Sequence, residues 1–132
     1  CLGVHVRGTD HWQHGPLIDL NKYFVWVDKK LNENNYSYIF LATDEEQYVD
    51  SFHKRYGEKV ITNNNITRST SNTAIHYSNY EDKEKLIEDV MLDAISLSQC
   101  EEILITSSNV SAYTLAINPF IKYIFFIKYI FY

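Results

Sequence analysis

The sequence is short of most features that announce a function outright. Cys1 and Cys100 are the two cysteines in 132 residues, too few and too far apart to suggest a disulfide framework or a zinc knuckle. With four glycines in the chain, neither a Walker loop nor a Gly-x-Gly-x-x-Gly turn is present. Positive charge is scarce as well: Lys and Arg number 12 against 17 acids, a net charge of −5. That balance argues against nucleic acid or an anionic membrane as partner, since both demand a broad basic face. One anionic ligand held by a few basic residues is still allowed. No charged n-region followed by an apolar core opens the chain, so no secretory signal is read there. The apolar tail, residues 120–132, falls short of the roughly 20 residues that span a bilayer, and Lys122 and Lys128 interrupt it. No transmembrane segment is expected.

What is present reads as one globular unit. The length suits about one domain with a real core, and 45% hydrophobic with 22% charged residues separates the chain from disordered sequences. Cys1 opens directly in a strand-like run without Met, so the sequence is expected to be an internal or C-terminal piece of a longer protein. Strand and helix patterns then alternate. Strands are expected at 2–6, 38–42, 59–62 and 103–105. Helices are expected at 17–31 (with Ile18, Phe24, Val25 and Leu31 on one face), at 45–56 stopped by Gly57, at 85–99 (with Leu86, Val90, Leu92, Ile95 and Leu97 on a broad face) and at 108–117 before Asn118-Pro119. Residues 63–82 are rich in Asn, Ser and Thr without a period and read as a long loop. The alternation predicts an α/β, Rossmann-like parallel sheet flanked by helices over residues 1–119, with 120–132 a last strand and an aromatic tail. Ligands of such sheets bind beyond the carboxyl ends of the strands.

Three polar clusters follow strands. In His5-Val6-Arg7-Gly8-Thr9-Asp10, alternation puts His5 and Arg7 on one face of the strand. The arginine fork suits phosphate oxygens, and Gly8 lets a ligand approach the backbone. The same residues also fit a local Arg7–Asp10 ion pair and a hydrogen-bonded core histidine. Thr43-Asp44-Glu45-Glu46 fits a helix cap with acids in the first turn, or a carboxylate that supports Arg7 or a sugar hydroxyl. Thr106-Ser107-Ser108-Asn109-Val110-Ser111 is a strand-to-helix turn whose unpaired N–H groups suit an anion, although plain capping by Ser108 explains its composition too. Asp93 stands amid Met91, Leu92, Ala94 and Ile95. Such a carboxylate either meets a donor or ligand, or lies exposed on the polar side of its helix. His11 and His14 lack an acid or Cys at convincing spacing, so no metal site is expected.

These motifs, together with Ile39-Phe40-Leu41-Ala42-Thr43-Asp44 and Leu92-Asp93-Ala94-Ile95-Ser96-Leu97-Ser98-Gln99-Cys100, resemble in order and spacing those of α-1,6-fucosyltransferases and the rhizobial nodulation fucosyltransferase, over residues 2–119. The resemblance implies the C-terminal, GDP-fucose-binding half of a GT-B glycosyltransferase that moves α-L-fucose to a glycan acceptor with inversion and without a metal or other cofactor. It implies that His5 and Asp93 contact guanine, Arg7 binds the β-phosphate, and Ser107, Ser108 and Asn109 hold phosphate oxygens. Asp10 would orient Arg7, and Asp44 would support the site.

The chain departs from that family where Gly8 replaces a second arginine, where His11 replaces a basic residue, and where no acid stands between His11 and Gly15. His11, or His14, is then the expected base beside Arg7 and Asp10, because imidazole titrates near neutrality. The rival reading is a non-catalytic module that binds a nucleotide or sugar phosphate. The compartment follows the host: Golgi or ER lumen in a eukaryote, cytoplasm for a bacterium or virus.

Overall fold

Each short apolar run becomes a strand of one sheet in the computed structural model, which describes residues 1–7, 20–64 and 83–126. The strands are β1 (Leu2–Val6), β2 (Ile39–Thr43), β3 (Val60–Ile61), β4 (Glu102–Thr106) and β5 (Lys122–Phe126). Between them lie α1 (Leu20–Asn34), α2 (Glu46–Tyr56) with a 3-10 turn at Gly57–Lys59, α3 (Lys83–Ser98) and α4 (Asn109–Ile117). The strand order is β3-β2-β1-β4-β5 and every neighbouring pair is parallel. Parallel neighbours need long crossovers, which the helices supply. The chain builds outward from β1 through β2 to β3, then returns to place β4 on the other side of β1. The fold is thus α/β and Rossmann-like, with its topological switch point between β1 and β4.

Alternation along the strands sends apolar side chains to both faces, as a sheet covered on both sides requires. Leu2, Val4, Val6, Ile39, Leu41 and Leu104 pack with Tyr23, Val27 and Phe52 of α1 and α2. Phe40, Ala42, Ile103 and Ile105 pack on the other face with Leu97 of α3. Gly3 belongs to this second face, where a Cβ would come within 2.9 Å of Leu97 and 2.8 Å of Ile103. Its missing side chain lets α3 sit directly on β1.

Several expectations need correction. The first helix runs on to Asn34 before Asn35 takes a positive φ of 51°, which Asn tolerates better than most residues. Val25 is 66% exposed, because the buried stripe runs Leu20, Tyr23, Phe24, Val27, Leu31 and position 25 falls between its rows. Ile18 lies outside the described residues. On α3, Leu92 and Ile95 are exposed while Asp89, Asp93, Ala94 and Leu97 are buried. That helix packs on the sheet through Leu97 and meets α4 at Ala94, whose carbonyl accepts from Thr114 Oγ1 at 3.4 Å, so the apolar count along it misidentifies its inner face. Glu45, not Thr43 or Asp44, occupies the N-cap position of α2. Gly57 ends α2 with φ 65°, as its lack of a Cβ allows. The last strand forms and pairs with β4, while residues 65–82, expected as most of a long loop, and 127–132 lie outside the described residues. No helix among the described residues is long and apolar enough to cross a membrane.

Candidate functional site

The β1–β2 ladder continues to Val6↔Thr43 and the β4–β5 ladder to Thr106↔Phe126, but β1 pairs β4 only as far as Val4↔Leu104. The two central strands therefore part over their last residues. His5, Arg7 and the turn from Thr106 into α4 stand at this opening. Helices leave its two sides for opposite faces of the sheet, α1 after β1 and α4 after β4. A crevice of this kind is where ligands of open parallel sheets bind.

His5 points to the face that carries α3 and α4, since Gly3 packs there and the side-chain period is two. It is buried, and its Nδ1 lies 3.2 Å from Ser108 Oγ and 3.3 Å from Ser111 Oγ. Ser108 is the N-cap of α4: its Oγ accepts from the Ser111 N–H at 3.0 Å and lies 3.2 Å from Ser111 Oγ. One imidazole and two hydroxyls thereby pin the amino end of α4 to β1. Whether Nδ1 of His5 carries a proton decides whether it donates to these hydroxyls or accepts from them. Arg7, on the same face, donates from Nη1 to the Ser107 carbonyl at 3.2 Å. That contact ties the guanidinium to the residue preceding the cap, so a cationic fork and a helix amino end share one side of the crevice. Both are arrangements that favour an anion.

Asp93 is 5% exposed and accepts a hydrogen bond from Asn63 Nδ2 at 2.9 Å. This removes the reading of an exposed acid on the polar side of the helix. It stands one turn before Leu97, on the face that carries His5, and Asn63 follows β3, so both belong to the carboxyl end of the sheet. Asp44 follows β2, beside the end of β1. Ser107 and Asn109 are exposed at the turn. Asp10, His11 and His14, the expected orienting residue and bases, lie outside the described residues, as do Gly8 and Thr9. Among the described residues no group of three or more His, Cys, Asp or Glu is arranged to hold a metal ion.

Sequence reasoning missed Asn63 at this end of the sheet, and it named Ser111 and Glu45 within their clusters without giving either a role of its own. For Ser111 the hint is its spacing of three from the cap residue. Asn63 gives no signal, because its partner lies thirty residues away. Glu45 resembles a first-turn acid but is fully buried, and its backbone N–H donates to Thr43 Oγ1 at 3.3 Å. Burial and the neighbouring Asp44 charge push its carboxyl up to about 7, against hydrogen bonds with Tyr48 and Gln47 that favour the ionised form. Its enclosure keeps it from touching a ligand. No protein-family model matches the chain, and no curated protein matches it.

Proposed function

We propose that this chain is the nucleotide-sugar-binding half of a fucosyltransferase-like GT-B glycosyltransferase, with GDP-fucose as donor and a glycan as acceptor. The observation that carries the reading is the parting of β1 from β4 with Arg7 and the α4 amino end along one side. Such an opening suits a diphosphate, whose oxygens want N–H donors and positive charge in a fixed array. His5, Asp93 and Asn63 on the same face give the reading polar groups for a base edge.

The chemistry suits these residue types. When the bond from the sugar to the diphosphate breaks, negative charge grows on the departing oxygen and the sugar becomes cation-like. Donors already fixed around that oxygen favour the transition state over the ground state. Arg7 would meet that charge with a fork, and the amides of Ser108, Asn109 and Val110 with a helix terminus. An imidazole from His11 or His14 would take the acceptor's proton.

A thermal-shift screen tests the reading. GDP and GDP-fucose raise the melting temperature, by about 2.7 kcal/mol of added stability at a hundredfold excess over Kd. UDP leaves it unchanged, and EDTA does not abolish the GDP shift. Equal shifts with UDP, or no shift with any guanine nucleotide, would contradict it.

A further inference from the structure

At the opposite end of the sheet, two residues 99 positions apart meet. Cys1 precedes β1, and Cys100 sits in the turn between α3 and β4. Because β1 and β4 pair in the register Leu2↔Glu102, the residues before them are also neighbours. The Glu101 N–H donates to the Cys1 carbonyl at 3.0 Å, and the two Sγ atoms lie 3.1 Å apart. Cys100 is held in place on three sides. Its N–H donates to the Leu97 carbonyl at 3.1 Å, its thiol reaches the Ser96 carbonyl at 3.6 Å, and its Sγ lies 3.0 Å from where a Cβ on Gly3 would stand. Cys100 is buried and Cys1 is half-buried.

We propose that Cys1 and Cys100 form a redox pair that closes into an intramolecular disulfide when the chain meets a small-molecule disulfide such as oxidised glutathione. The proposal is independent of the nucleotide reading, since it concerns the amino ends of the strands. A disulfide needs its sulfurs about 2 Å apart, so the gap closes by about 1 Å, within reach of a side-chain rotation at Cys1. Burial pushes the Cys100 thiol up to about 11, so the more accessible Cys1 reacts first. Its thiol loses a proton, and the thiolate attacks one sulfur of the small disulfide, breaking that S–S bond and expelling one thiolate. Cys100 then gives its proton to the expelled thiolate, and its sulfur attacks Cys1 Sγ, expelling the second small thiolate, which takes up the proton from Cys1. Two protein thiols and one small disulfide thus become one protein disulfide and two small thiols. No third ligand of the kind a metal needs joins the pair among the described residues. The bond would close a loop that runs from before β1 to the end of α3 and fix the end of α3 to β1, narrowing the unfolded ensemble.

The test treats the full chain with oxidised glutathione, quenches with iodoacetamide, and maps the peptides by mass. The expected product is a monomer lighter by the two thiol hydrogens, with Cys1 and Cys100 joined and neither alkylated. Its melting temperature should fall by something on the order of 10 °C when dithiothreitol is added. Cys1→Ser, at the more exposed of the two positions, should fold and melt independently of reductant. The pairing is overturned if both cysteines are still alkylated after oxidation, if glutathione stays on Cys1 while Cys100 is alkylated, or if the product is a dimer linked through Cys1. A mapped disulfide with no response to dithiothreitol would overturn its role as a staple.

Discussion

A carboxyl group taken out of water moves towards its neutral form, and Glu45 is the described residue at which this has a measurable consequence. Its folded value of about 7 stands above the ordinary 4.5, so between those values the folded state holds a proton that the unfolded state has lost. Stability is then greatest below the lower value and declines as pH rises through the upper one, by up to roughly 3 kcal/mol from this group alone. Glu45→Gln should flatten that decline and be more stable than wild type at about pH 8, as urea denaturation across the range would read. An unchanged pH slope would exclude Glu45 as its source. Arg7 makes the complementary case, a half-buried charge at a strand end. Lysine keeps that charge but not the fork, so Arg7→Lys should weaken GDP binding by about 2 kcal/mol, roughly thirtyfold, and Arg7→Ala by more, with little change in melting temperature. Wild-type affinity in either variant would leave Arg7 with a structural role only. The face shared by His5 and Arg7 was legible from their spacing of two. The enclosure of Glu45 was not, because a first-turn acid and a buried acid have the same local sequence.

At the scale of elements, α4 shows how the same atoms can cap a helix and tie it to a strand. Ser108 satisfies the Ser111 N–H and also stands beside Ser111 Oγ and His5, so Ser108→Ala removes three contacts at once. The cap alone is worth about 1 kcal/mol, and leaving His5 with a hydroxyl fewer adds to the loss. Calorimetric melting should show a drop above the cap value. A neutral substitution would mean that the amino end of α4 is held by other contacts. Strand positions were readable almost to the residue, since β-branched and apolar runs bounded by polar residues admit few alternatives. Helix faces were less so. Leu92 and Ile95 look like core residues and Asp93 reads either as a partnered acid or as an exposed one; α3 turns Asp93 inward with Asn63 as donor and leaves both aliphatics exposed. The packing partner decides which stripe is buried, and that partner lies far away in sequence.

For the whole molecule, the alternation of strands and helices announced a parallel sheet, but no residue announces the order of its strands. That order follows from where successive crossovers pack, and here it brings β4 back beside β1. Two consequences follow from this one step. It joins Cys1 to Cys100 at one end of the sheet, and at the other it parts the strands between Arg7 and Ser107. The central claim is that a guanine nucleotide occupies this parting. A backbone NMR titration of the full chain with GDP reads it directly. The expected result is a saturable set of amide shifts at His5, Arg7, Ser107, Ser108, Asn109 and Ser111, unchanged by EDTA, with Cys1, Cys100 and Glu102 at the far end of the sheet unmoved. Shifts centred on the far end, or none at saturating GDP, would contradict the assignment.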